Sequence, residues 1–319
     1  MWLLSTDRAE LHYFSDPTAI PGGYAILSHT WGHDEQAYQA LRTVQEQCAQ
    51  TGQNPRDLVS PKIQQCCLVA ERDGFAWVWI DTCCINKESS TELSEAINSM
   101  FAWYIHSEVC YAYLSDVPAD DDMHAEDSAF RKARWHTRGW TLQELLAPAL
   151  VVFYSSVWKR LGTKEELAEL LEDITDIYAC YLTRKESLVL ASVAERMSWA
   201  SNRHTTRIED EAYCLLGLFG IVLPTLYGEG RRAFLRLQQE IAKQSIDTSI
   251  FAWGNIYSKD EEDLPPVTLQ EMWDEYHGPS YDERFVFAPS PGEFFADTIY
   301  YTPAVSDPIE GYLPTEVRI

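Results

Sequence analysis

A tryptophan and a glutamate four residues apart are the side chains of this sequence best placed to do chemistry. They are Trp140 and Glu144, within the segment RGWTLQELLAP at 138–148, which follows a basic cluster and precedes an apolar run at 150–154. Residues with this spacing share one face of a helix. At the end of a strand, the pair predicts one wall of a pocket for an aromatic, cationic ligand, because the indole can stack on the ring while the carboxylate meets its charge.

A purely local role explains the same spacing. Thr141 and Glu144 match the capping-box pattern, in which the side chain of each residue bonds the backbone N–H of the other. Trp140 and Leu145 would then form the hydrophobic staple of the same helix end. The spacing leaves both interpretations open, so the elements around the motif have to decide between them.

Four apolar runs are predicted as strands, at 24–31, 75–81, 109–114 and 150–154. Two helices are predicted between the first three strands. Serine and proline at the start and glycine after the end indicate a helix over 61–73, and an apolar stripe indicates a helix over 90–105. The alternation of strand and helix predicts an α/β fold with a parallel sheet flanked by helices.

Ligands of parallel sheets bind beyond the carboxyl ends of the strands. Segments 28–32, 81–83 and 138–144 all lie at such ends or just past them. We therefore expect one cavity to be bordered by a polar set: Ser28, His29, Asp81, Arg138, Trp140 and Glu144. Two of these have simpler roles as alternatives, since His29 could be a hydrogen-bonded structural histidine and Asp81 could cap the turn that follows it.

The remaining segments predict a helical annex and an irregular tail. Residues 33–59 are polar and contain a turn at 51–55, whereas 164–177, 208–219 and 233–241 are amphipathic and predict helices. Residues 258–266 are an acidic, proline-containing linker, and the tail carries short strand candidates such as 284–288. The expected organisation is an α/β domain at 1–160, a helical extension at 161–255, and a linker with a turn-rich tail at 256–319.

The charge balance excludes several classes of partner. A net charge of −24 argues against nucleic acid and against anionic membranes, both of which require basic surface. No run approaches the roughly 18 apolar residues of a membrane helix, and the N-terminus lacks a signal peptide pattern, so we expect a soluble, cytoplasmic protein. The eight cysteines show no zinc-binding spacing, which predicts reduced core residues and no metal site.

Three blocks closely resemble the fungal HET (heterokaryon incompatibility) domain family. They are YAILSHTWG at 24–32, WIDTCCINK at 79–87 with STELSEAINSMF at 90–101, and RWHTRGWTLQELLAP at 134–148. The blocks RMSWA at 196–200, TRIEDEAYCLL at 206–216 and LYGEGR at 226–231 resemble the helical extension that often follows this domain. The resemblance implies a protein of fungal self/non-self recognition whose activation triggers programmed cell death.

HET domains are in turn similar to TIR domains, which implies a TIR- or flavodoxin-like sheet and, in the members that hydrolyse NAD, a catalytic glutamate in a W-x-x-x-E segment. That position is Glu144 here. The resemblance then implies an NAD(+) nucleosidase that uses NAD as substrate and no cofactor. One carboxylate suffices for this reaction, because nicotinamide leaves as a neutral molecule and needs no general acid, unlike the leaving group of an ordinary glycosidase.

The other expected roles follow from that chemistry. Glu144 would stabilise the oxocarbenium charge, Arg134 or Arg138 would bind the pyrophosphate, and Ser28, His29, Trp31 and Asp81 would line the pocket beside Trp140. The arginines have an alternative role in neutralising the acidic loop at 120–127. As partners we expect NAD or a related nucleotide, a second copy of the chain on activation, and a regulatory protein. The competing function is a non-enzymatic death module that signals by self-association.

Overall fold

A seven-stranded mixed sheet forms the centre of the protein. The computed structural model describes residues 1–253 and 287–294. The sheet has the strand order β2-β1-β4-β3-β5-β6-β7. Its four central strands are β3 (Ala25–His29), β4 (Trp77–Trp79), β5 (Val109–Tyr113) and β6 (Val151–Tyr154). They pair in parallel and lie within the four predicted runs, so the predicted α/β architecture is confirmed.

Antiparallel strands extend this parallel centre on both sides. β1 (Trp2–Ser5) pairs with β4 and with β2 (Leu11–Tyr13), and β7 (Arg160–Thr163) pairs with β6. None of these three strands was predicted from the sequence. Each has only three or four residues, which is too short for a period-2 pattern to stand out, so their extended conformation depends on the neighbouring strand.

Four helices accompany the strands: α1 (Tyr38–Thr51), α2 (Pro61–Arg72), α3 (Ser90–His106) and α4 (Thr141–Leu146). α2 and α3 are the two helices predicted, and the Ser89 hydroxyl caps α3 by accepting from the Glu92 amide at 3.3 Å. α1 lies in the polar segment 33–59, for which no helix was predicted. It buries only Leu41 and Cys48, which explains why its sequence shows no clear apolar stripe.

The chain after β7 is helical, as predicted. Its helices are α5 (Ala168–Thr175), α6 (Ala179–Leu182), α7 (Val193–Ser198), α8 (Asp210–Tyr213), α9 (Leu216–Phe219) and α10 (Arg232–Gln244). We call residues 164–253 the helical extension. α9 packs on α3 at close range, because a Cβ at Gly217 would lie 2.0 Å from the Cβ of Phe101.

The core is continuous between the sheet and the helical extension. All eight cysteines are free thiols, and seven of them are buried. Among the described residues, no helix is long and apolar enough to cross a membrane. The expected linker at 258–266 and most of the strand candidate at 284–288 lie outside the described residues.

Candidate active site

A cavity of about 330 Å³ opens at the carboxyl ends of β3 and β4, beside α4 and against the helical extension. Parallel strands that end together place their following loops around one space, which is where α/β folds bind ligands. Six of the eight predicted site residues line this cavity: His29, Trp31, Asp81, Arg138, Trp140 and Glu144.

Glu144 faces the sheet and does not cap its own helix. Its Oε2 accepts a short hydrogen bond from the Ser28 hydroxyl at the end of β3, 116 residues away in sequence. The N-terminus of α4 has no side-chain cap, and the Thr141 hydroxyl instead lies 2.5 Å from the carbonyl oxygen of Trp135. The capping-box interpretation is therefore wrong for this pair, and both side chains are used in tertiary contacts.

Ser28 lies behind the carboxylate and connects it to a tryptophan. Trp135 donates from its indole Nε1 to the Ser28 hydroxyl oxygen at 2.7 Å, and that hydroxyl donates onward to Glu144. Ser28 and Trp135 are almost fully buried, at 0% and 1% exposure. Trp135 was not among the predicted site residues, although it lies in the same block, 134–148, as Trp140. The bond fixes the orientation of the hydroxyl, so Ser28 orients Glu144 without itself lining the cavity.

The protonation of Glu144 is set mainly by its burial. Burial, helped by the negative charge of Asp81, raises the pKa of the Glu144 carboxyl from 4.5 to about 8, while the Ser28 hydroxyl and the Arg138 charge act in the opposite direction. The carboxyl is thus mostly neutral near pH 7 in the chain alone. A cation bound beside it would favour the ionised form and lower this pKa.

Helix α4, which carries Glu144, is held at its carboxyl end by a buried lysine. All six residues of Thr141–Leu146 are buried, so its terminal carbonyl groups cannot bond water. Lys164 is 3% exposed and donates from Nζ to the carbonyl oxygens of Leu145 and Pro148 at 2.9 and 2.8 Å. Burial lowers the pKa of Lys164 to about 8.

Arg203 of the helical extension holds the other end of α4. It donates to the carbonyl oxygen of Arg138 and to the hydroxyl of Thr141, both at 3.1 Å, and to the carbonyl oxygen of Trp199 at 3.1 Å. Its exposure is 9%, and burial lowers its pKa to about 10. The guanidinium therefore ties the motif segment to the helical extension.

Close backbone contact at Gly139 strengthens the same connection. The amide of Gly139 donates to the carbonyl oxygen of His204 at 3.0 Å. The amide of His204 in turn donates to the carbonyl oxygen of Thr137 at 2.7 Å. A Cβ at Gly139 would lie 2.5 Å from Cγ2 of Thr205, so only glycine fits. The glycine between Arg138 and Trp140 is thus explained by this approach of the two backbones.

Asp81 and Trp31 form the rim of the cavity. The Trp31 indole donates to Oδ2 of Asp81 at 2.7 Å, and the Lys87 ammonium lies 3.7 Å from the centroid of the Trp31 ring. No hydrogen bond in the described part of the chain joins the Asp81 carboxylate to the turn after it. Its carboxylate therefore faces the cavity rim and does not serve as a turn cap.

His29 lies between two carboxylates. Its Nδ1 is 3.7 Å from Oδ1 of Asp81, and its Nε2 is 3.8 Å from Oε2 of Glu35. The residue is buried, yet neither ring nitrogen has a hydrogen-bond partner among the described residues. His29 thus lines the cavity with its ring held between the carboxylates of Asp81 and Glu35.

Only one of the two candidate arginines lines the cavity. Arg138 lines the cavity and donates to the Thr206 hydroxyl at 3.2 Å. Arg134 does not line it, and its exposed guanidinium lies 3.5 Å from the carboxylate of Asp116. The expectation that Arg134 contributes to the pocket is therefore corrected. Neither arginine neutralises the acidic loop, where Lys132 pairs with Asp127 instead.

The helical extension contributes four cavity residues that the sequence did not predict: Thr206, Arg207, Asp210 and Tyr227. Their blocks were recognisable as part of the helical extension, but nothing in their spacing indicates a ligand. Only tertiary packing brings them to the cavity that Glu144 lines.

The charges that share this cavity do not pair with one another. Its cations are Lys87, Arg138 and Arg207, and its carboxylates are Asp81, Glu144 and Asp210. None of these three cations lies within 4 Å of a carboxylate in the described chain, while each carboxylate bonds a neutral donor. The cavity can therefore offer donors to an anionic group and a carboxylate to a cationic one. In the described residues, no cluster of three or more His, Cys, Asp or Glu side chains could hold a metal ion.

Comparisons with known proteins agree with the blocks found in the sequence. Residues 24–129 match the family described as heterokaryon incompatibility protein (HET), and residues 232–308 match a domain of unknown function, DUF8212. The chain is 46% identical over 235 residues to the vegetative incompatibility protein HET-E-1 of Podospora anserina. The alignment covers 70% of this chain and 17% of that relative, so the chain spans about a sixth of the relative's length. No solved structure matches the chain.

Proposed function

Because the chain is a HET-domain protein, we propose that it acts in vegetative incompatibility and kills the cell by hydrolysing NAD at the nicotinamide–ribose bond. The observation that carries this proposal is the buried Glu144 carboxyl, which faces a cavity that also presents unpaired cations. NAD combines a cationic pyridinium ring with a diphosphate, and this cavity has groups of the opposite sign for each.

The chemistry assigns one step to Glu144. The bond between ribose C1′ and the nicotinamide nitrogen breaks, and its electron pair neutralises the ring. Water adds to C1′, giving ADP-ribose and one proton, so no oxidant or reductant is needed. The carboxylate stabilises the positive charge that develops on the ribose. Since burial holds the pKa of Glu144 near 8, the cationic ring itself would promote ionisation of the carboxyl when it binds.

The experiment compares NAD turnover by purified wild type, Glu144→Gln and the control Glu169→Gln, whose side chain is exposed on α5. We expect nicotinamide release by the wild type and by the control, and a loss of at least a hundredfold, roughly 3 kcal/mol, in Glu144→Gln. Release should increase with protein concentration or a crowding agent, because we propose that self-association activates the chain.

The competing function is tested in cells. Killing that survives Glu144→Gln at equal protein level would refute hydrolysis and favour a non-enzymatic module that signals by assembly. Wild-type protein that releases no nicotinamide at any concentration, with or without crowding, would refute hydrolysis as well.

A further inference from the structure

The cavity wall that the helical extension contributes is held by its own hydrogen bonds. The Tyr227 hydroxyl donates to Oδ1 of Asp210 at 2.9 Å, and Glu209 accepts from the amides of Gly228 and Gly230 at 2.7 and 3.1 Å. These bonds join the turn at 226–230 to the start of α8. Tyr227 is therefore fixed with its ring toward the cavity.

The Arg207 guanidinium lies over this ring as a cation–π pair. Its guanidinium carbon lies 4.4 Å from the centroid of Tyr227, and no carboxylate lies within 4 Å of it in the described chain. Stacking uses the flat face of a guanidinium and leaves the N–H donors along its edge available. The neighbouring residue, Thr206, accepts a hydrogen bond from Arg138, so the two arginines approach the cavity from adjoining positions.

We propose that Arg207 is a ligand-binding residue that, together with Arg138, binds the phosphate groups of a nucleotide. This inference rests on the proposed function for its choice of nucleotide. Guanidinium groups bind phosphate oxygens in a bidentate manner, and stacking on Tyr227 fixes Arg207 before the ligand arrives. The helical extension thus supplies one of the two arginines proposed to bind phosphate.

Binding of ADP-ribose and of adenosine to the purified chain tests this role, because the first carries a diphosphate and the second does not. For Arg207→Gln we expect ADP-ribose affinity to fall at least tenfold, the size of one charge-assisted hydrogen bond, while adenosine affinity stays within twofold. The loss should shrink at high salt, where phosphate contacts are screened. The matched control is Arg232→Gln, an exposed arginine of α10 in the same helical extension.

A second variant guards against misfolding. Arg207→Lys keeps the charge but loses the bidentate edge and much of the stacking, so it should bind ADP-ribose with intermediate affinity. Thermal unfolding of each variant checks that the helical extension is intact. Unchanged ADP-ribose affinity in Arg207→Gln, equal loss of adenosine and ADP-ribose, or no ADP-ribose binding by the wild type at millimolar concentration would each overturn the inference.

The result for the phosphate site can be distinguished from the result for NAD hydrolysis. Arg207-dependent binding of ADP-ribose by a chain that never cleaves NAD supports the phosphate site and refutes the enzyme. NAD cleavage that requires Glu144 and is unaffected by Arg207→Gln refutes the phosphate site and leaves the enzyme standing.

Discussion

Replacement of Glu144 by glutamine should stabilise the folded chain at neutral and alkaline pH, although it removes a hydrogen-bonded carboxyl. Glu144 is 7% exposed, and burial, with the charge of Asp81, raises its pKa to about 8. Above its ordinary pKa of 4.5, the unfolded chain releases this proton while the folded chain retains it. Ionisation of the carboxyl therefore opposes folding, whereas an amide of the same size does not ionise.

The sign and the size follow from the two pKa values. Below pH 4.5 the carboxyl is protonated in both states and adds no pH-dependent difference. As the pH rises from 4.5 toward about 8, the folded state loses stability relative to the unfolded state, and above about 8 the loss is constant. At about 1.4 kcal/mol per pH unit, the loss reaches about 3 kcal/mol at pH 7 and about 5 kcal/mol above pH 8.

Urea unfolding followed by tryptophan fluorescence at pH 5, 7 and 9 measures this difference between wild type and Glu144→Gln. All other titrating groups are common to the two proteins, so the difference isolates one residue. Glu169→Gln, at an exposed position of α5, should show no comparable trend. A difference that stays constant with pH would refute the reasoning.

Two substitutions test the connection between α4 and the helical extension. Arg203→Met should lower the free energy of unfolding by about 2 kcal/mol, because the Trp199 carbonyl loses its donor and the Arg138 carbonyl keeps only the Thr141 hydroxyl. Urea unfolding should show a much smaller loss in the exposed control Arg232→Met. Gly139→Ala should cost about 1 to 3 kcal/mol by the same measurement, since the added methyl meets the Thr205 side chain, and an unchanged stability would show that the two backbones separate easily.

Elements with a complete local signal were predictable from the sequence. α3 has a serine cap, an apolar stripe and 17 residues, and the four central strands are continuous apolar runs. α1 and the edge strands were not predicted, because α1 buries only two residues and each edge strand takes its conformation from its neighbour. Long, strongly patterned elements therefore define the parallel centre of the sheet, and tertiary pairing defines its margins.

The site also contains residues that the sequence predicts and residues that it does not. The rule that ligands bind where parallel strands end is sufficient to place His29, Asp81 and Glu144 at one cavity. No local rule predicts that Arg207 and Tyr227 face them, because that depends on how the helical extension packs. The capping-box pattern misleads for the same reason, since it describes only the backbone near Glu144.

The domain boundary expected at residue 160 does not separate the site from the helical extension, because residues on both sides of it line the cavity. Helix α4 has six buried residues, fewer than an isolated helix needs to be stable, so its position depends on the groups that bond its ends. Lys164 bonds one end and Arg203 the other, and both lie in the helical extension. Anything that shifts the helical extension relative to the sheet would therefore move Glu144 relative to Ser28, while changing the wall that carries Arg207. The catalytic and phosphate-binding roles proposed here depend on the same packing, so movement of the helical extension is a direct physical route by which a partner could control both.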